Sequence, residues 1–135
     1  MEPSLAQCQT IHVLFVEDEV LISEWVTESL SDQGFEVKPV TNAADALRHF
    51  SAHPVDILFT DINLPGGMDG MALARQLREL QPNMPVVYAS ARANLLGSDG
   101  RVPGSIIVPK PYEPELVGRL LSAALKTARA AVPAA

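Results

Sequence analysis

Two hydrophobic periods take turns along the chain. Short apolar runs occur at "IHVLFV" (11–16), "FEVKPV" (35–40), "DILFT" (56–60), "PVVYA" (85–89) and "SIIV" (105–108). Each has strand length and is rich in β-branched or aromatic residues. The last three are nearly continuous apolar runs, as expected of strands covered on both faces. Between them the spacing becomes helical. Ile22, Trp25, Val26 and Leu30 form one stripe, with Trp25 read as a packing residue. Ala43, Ala46, Leu47 and Phe50 form a second, with Asn42 as its N-cap and Asp45 three residues on. Leu73, Leu77 and Leu80 form a third behind an N-cap at Asp69, and Val117, Leu120, Leu121 and Ala124 form the last, with Pro114 in its first turn. The segment 92–105 carries Gly97, Gly100, Pro103 and Gly104, which leaves room for a short or irregular fourth helix of about two turns. The order is β-α-β-α-β-α-β-(α)-β-α. Such alternation predicts an α/β domain whose parallel sheet is covered by helices on both faces. The domain spans 11–128, with tails at 1–10 and 129–135.

Composition narrows the function. The 135 residues are 47% hydrophobic, enough for one sizeable core, and the net charge is -6. Nonspecific duplex binding needs a basic face, so the acidic balance argues against direct nucleic-acid binding. No segment has a signal-peptide layout, and no apolar run would span a membrane. Cys8 is the only cysteine, which rules out an internal disulfide and a thiolate metal cluster. A soluble, cytoplasmic protein is expected.

The chemistry gathers where the strands end. Open parallel sheets bind ligands at their C-terminal edge, near the topological switch point. Glu17 and Asp18 follow the first strand, Asp61 the third, Ser90 the fourth, and Lys110 the fifth. There is no dinucleotide glycine fingerprint after the first strand and no P-loop. Three carboxylates suit a hard cation such as Mg²⁺, which would offset their mutual repulsion. One of them can then act as a nucleophile toward phosphorus, with Lys110 and Ser90 contacting the phosphoryl oxygens.

"VEDE" at 16–19, "FTDINLPGGMDG" at 59–70, "YASA" at 88–91 and "PKPY" at 109–112 together resemble the receiver domains of two-component response regulators. The resemblance covers about residues 11 to 128. It implies a CheY-like, flavodoxin-like (βα)5 doubly wound sheet of strand order 2-1-3-4-5. It also implies a role for each motif residue. Asp61 matches the phospho-acceptor. Asp18 matches a direct Mg²⁺ ligand, Glu17 an acid acting through water, and Asn63 the backbone carbonyl of the metal site. Ser90 matches the switch hydroxyl, backbone groups of Ala91 and Asn63 lie at the phosphoryl site, and Lys110 matches the phosphoryl-contacting lysine. The Lys110–Pro111 bond is expected to be cis. The donor would be a histidine kinase or histidine phosphotransfer protein, and the output a downstream protein or a linked kinase. Catalysis would be confined to the domain's own phosphorylation and dephosphorylation.

Three departures stand out. Ile107 occupies the position three before the lysine, where the family commonly has an aromatic switch residue, and Tyr112 beyond the lysine is no obvious substitute. The loop after Asp61 is one residue longer than the commonest form, with Gly66 and Gly67 expected to absorb the extra length. The helix in 92–105 is weak. Two rival readings follow: a pseudo-receiver that binds or dimerises without phosphorylation, or a Mg²⁺-dependent phosphohydrolase. The second lacks an acid close after Asp61 and room for a cap. Other residues carry plain expectations. Glu19 is read as a first-turn acid, and His12, His49 and His53 as core-edge or surface residues. Arg75 and Arg78 are placed on a solvated face.

Overall fold

Side chains of a parallel strand alternate between two faces, so a sheet covered on both sides needs two apolar sets. The computed structural model, which describes residues 10–92 and 100–131, contains both. Its strands are β1 (Ile11–Val16), β2 (Phe35–Val40), β3 (Ile57–Asp61), β4 (Val86–Ser90) and β5 (Ile106–Pro109). The four helices among the described residues are α1 (Val20–Asp32), α2 (Ala43–Ala52), α3 (Gly70–Leu80) and α4 (Pro114–Ala131). All strand pairs are parallel, and the order is β2-β1-β3-β4-β5.

Leu14, Val16, Leu58, Val86 and Tyr88 face α2 and α3, packing with Ala43, Ala46, Leu73 and Leu77. Val13, Phe15, Ile57, Phe59, Val87 and Ala89 face α1 and α4, packing with Val26, Leu30, Val117 and Leu121. β3 and β4 are buried along their whole length. β5 is an edge strand, and only Val108 in it is fully covered. The expectation of two covered faces therefore fails there.

Local chemistry sets the helix starts. The Asn42 side chain accepts from the backbone N–H of Asp45 at 2.8 Å, and Asp69 accepts from that of Ala72 at 2.8 Å. Glu19 is the N-cap of α1 rather than a first-turn residue, and its own side chain caps nothing. α1 closes where the N–H of Gly34, at φ 103°, donates to Ser31.

Several expectations change. Trp25 is 53% exposed and Leu80 68% exposed, so neither is core. Ile22, Val26 and Leu30 already fill the buried stripe of α1, and Leu73 and Leu77 that of α3. Arg75 and Arg78 are not merely solvated: they donate to the carbonyls of Gly100 and Met84, each at 2.6 Å. α4 continues to Ala131, three residues into the expected C-terminal tail. Half of the segment expected to form the short fourth helix, and most of both tails, lie outside the described residues.

Candidate functional site

The strand order places the switch point between β1 and β3. The chain leaves β1 for β2 on one side and returns across it to β3 on the other. The C-terminal ends of these two strands therefore open a crevice, where Glu17, Asp18 and Asp61 sit. Carboxylate oxygens of the three lie within 4.8 Å of one another. Asp18 is exposed, whereas Glu17 is 1% and Asp61 5% exposed.

Each buried acid is held by named donors. Glu17 Oε2 accepts from the backbone N–H of Glu19 at 3.0 Å, which ties the carboxylate to the start of α1. The Glu17 N–H donates to the carbonyl of Val40, at the end of β2. Lys110 Nζ lies 2.6 Å from Asp61 Oδ1 and 3.5 Å from Glu17 Oε1. The lysine thus bridges both buried carboxylates and favours Asp61. Its backbone N–H donates to Ser90 O at 2.9 Å, anchoring the residue to β4. The Lys110–Pro111 peptide is cis.

Electrostatics follow from this packing. Burial drives the Asp61 carboxyl upward. The Lys110 hydrogen bond pulls it back and the Glu17 charge raises it again, leaving it pushed up to about 7. Burial works against the Lys110 ammonium, but its bond to Asp61 and the two nearby charges outweigh that and raise it. The proton and the negative charge are thus shared within a tight set. The set fits a divalent cation on the chemistry of its donors: three hard oxygen ligands converge, one of them open to solvent.

Ser90 is buried at the end of β4, and its Oγ accepts from the Arg92 N–H at 3.0 Å. In this arrangement the hydroxyl serves the local turn. Ala91 and Asn63 lie exposed on the loops after β4 and β3. Ile107 packs against the α2–α3 face of the sheet, so no aromatic stands at that position. In the loop after Asp61 only Gly66 uses positive φ, at 92°; Gly67 does not need its glycine freedom.

Two residues escaped the sequence reading. Gly70 opens α3, and its N–H donates to Ile62 O at 2.7 Å. A Cβ there would lie 1.9 Å from the carbonyl oxygen of Asp61. Only glycine lets the helix approach the acid so closely, and the sole hint in the sequence was a glycine one residue after an N-cap aspartate. The other is Tyr112, weighed in the sequence only as a substitute aromatic, whose hydroxyl is buried.

Comparison with known proteins shows the family and the fold. A family model described as the response regulator receiver domain matches residues 13–115. The aerobic respiration control protein ArcA of Escherichia coli is 32% identical over 110 residues, covering 78% of this chain and 44% of ArcA. The chain thus spans less than half the length of that curated relative. A crystal structure of a response regulator receiver protein from Sinorhizobium medicae superposes with TM-score 0.81 and 32% identity, covering 89% of this chain and 98% of the other. A CheY-like receiver domain protein from Methanospirillum hungatei shares the fold at TM-score 0.78 and 22% identity, covering 90% and 98%.

Proposed function

The chain belongs to the response regulator receiver domain family of two-component signalling, and from that premise we propose that Asp61 accepts a phosphoryl group from a phosphohistidine. The donor is a histidine kinase or a histidine phosphotransfer protein. The observation that carries the reading is the 2.6 Å contact of Lys110 Nζ with Asp61 Oδ1, inside the crevice where Glu17 and Asp18 converge.

The residues divide the work. Asp61 attacks phosphorus through a carboxylate oxygen, and the new O–P bond forms as the P–N bond of the donor breaks. The imidazole leaves with the bonding pair and takes a proton from solvent. Lys110 pairs with Asp61 beforehand and passes to a phosphoryl oxygen afterwards. The Ser90 hydroxyl, which now accepts from the Arg92 N–H, donates its proton to a phosphoryl oxygen, helped by the backbone N–H of Ala91. Glu17, Asp18, Asp61 and the Asn63 carbonyl would hold Mg²⁺, which when bound neutralises charge on the transferred group. The acyl phosphate then biases the conformational equilibrium, because Lys110 and Ser90 have different partners in the two states. Signalling passes to a downstream protein or a linked kinase by protein contacts. No described helix is long and apolar enough to cross a membrane.

Incubation with labelled acetyl phosphate and Mg²⁺ tests the reading. Wild type should take up one label per chain and Asp61→Asn none. An unlabelled wild type, beside a competent control receiver, would leave the pseudo-receiver reading, which Ile107 favours.

A further inference from the structure

Tyr112 follows the Lys110–Pro111 pair and packs on the α1–α4 face of the sheet. The ring meets Phe59 edge-on, with centroids 5.7 Å apart and planes at 60°. Phe59 in turn stacks on Phe15 at 4.9 Å. Both phenylalanines lie in β1 and β3, the strands that deliver Glu17 and Asp61, so the phenol is held by the same two strands as the acids. Its hydroxyl is buried and has no hydrogen-bond partner among the described residues. A buried hydroxyl without a partner costs free energy, and phenylalanine would pack the same ring without it.

Phe15 and Glu17, like Phe59 and Asp61, are two residues apart along one strand direction and so share a face of the sheet; the acceptor on that face, Glu17, is one that Lys110 now occupies. Burial, then the Glu17 charge, then the Asp61 charge raise the Tyr112 phenol above its ordinary value, so it is a neutral donor. Glu17 Oε1 has Lys110 Nζ at 3.5 Å, a long contact beside the 2.6 Å bond to Asp61. A phosphoryl group on Asp61 draws Lys110 toward the new oxygens and away from Glu17. Oε1 of a carboxylate 1% exposed is then left without its protein donor, while Oε2 keeps the Glu19 N–H.

We propose that Tyr112 is a positioning residue of the phosphoryl site: as Lys110 leaves Glu17, the Tyr112 hydroxyl turns to Glu17 and holds that carboxylate in place. This rests on the phospho-acceptor reading of Asp61. It gives the unpartnered hydroxyl a use and supplies a mobile contact on the α1–α4 face of the sheet, opposite the face where Ile107 packs.

Tyr112→Phe removes the one oxygen. With labelled acetyl phosphate, the Mg²⁺ concentration giving half-maximal labelling should rise roughly threefold to tenfold in the variant, the loss of about one hydrogen bond to a charged group. The metal-free variant should melt at the same temperature as wild type or higher, since an unpaired polar group is gone. Its further stabilisation by beryllofluoride with Mg²⁺ should be smaller than that of wild type. Unchanged Mg²⁺ dependence and an unchanged beryllofluoride shift would overturn the proposal, because the ring would then act by packing alone. A metal-free variant less stable than wild type would overturn it too, since the hydroxyl would already be bonded at rest. A wild type that takes no label at Asp61 would instead overturn the reading of the site itself.

Discussion

Replacing Asp61 with asparagine should make the metal-free protein more stable at neutral pH, and the size of the gain follows from the site. The change keeps the shape of the side chain and deletes its charge. In the unfolded chain the carboxyl titrates near 3.8, and in the folded protein it is pushed up to about 7. Between these values the native state holds a proton that the unfolded state has released. Stability therefore falls as pH rises through that window and levels off above it. The displacement is about three units at about 1.36 kcal/mol each, so the ionised carboxylate costs on the order of 2–4 kcal/mol at pH 8. Asparagine escapes this cost. Urea unfolding in EDTA at pH 5, 6, 7 and 8 reads it directly. The difference between Asp61→Asn and wild type should grow from roughly a third of its full size at pH 5 to about its full size at pH 8. Taking the difference cancels the other titrating groups. A variant no more stable than wild type at pH 8, or a gap independent of pH, would refute the claim that burial and Glu17 outweigh Lys110 at this carboxylate.

Two further substitutions probe the surroundings of the same acid. Lys110→Met removes the cation shared by Asp61 and Glu17, so metal-free stability should drop by roughly 1–3 kcal/mol at pH 8 and by less at pH 5, where Asp61 is protonated; a pH-independent loss in urea unfolding would contradict this. Gly70→Ala places a Cβ 1.9 Å from the Asp61 carbonyl oxygen, against backbone that cannot swing aside, and should cost about 2 kcal/mol or more and slow acetyl phosphate labelling; an unchanged melting temperature and rate would show that α3 shifts freely.

Much of the fold was legible because its signals are local. The bounds of β1 and β2 match their apolar runs, and β3 to β5 are each displaced by about one residue. The N-caps at Asn42 and Asp69 use the short polar side chains that the sequence offers for the purpose. What periodicity handled poorly was the width of a buried stripe. Trp25 satisfies helical spacing with Ile22 and Val26, yet a helix on one face of a sheet buries only a narrow arc. Ile22, Val26 and Leu30 fill that arc, leaving Trp25 beside Leu21, which is 80% exposed. Hydrophobic type and spacing do not say on which side of the stripe a residue falls; the angle at which α1 meets the sheet does.

The candidate site was legible for a different reason. Strand ends in a parallel sheet converge on one edge, so residues 44 or 93 apart in sequence, such as Glu17 with Asp61 or with Lys110, needed only the correct strand order to meet. Residue type then limited the chemistry, because three carboxylates and a lysine at one edge have few other uses. The parts that stayed hidden depend on distance rather than on type. Gly70 matters because a backbone oxygen passes close to its Cα, and Tyr112 because one oxygen atom lacks a partner. A glycine and a tyrosine have many ordinary roles, so neither announces such a role in sequence. The same limit applies to Ser90. Its place at the end of β4 was predictable, but its present bond to the Arg92 N–H was not. That bond uses an acceptor lone pair of Oγ and leaves the hydroxyl proton to donate elsewhere. If Asp61 is phosphorylated as proposed, the phosphoryl group would compete with Glu17 for Lys110, which would make the two states differ in free energy, and a switch requires such a difference.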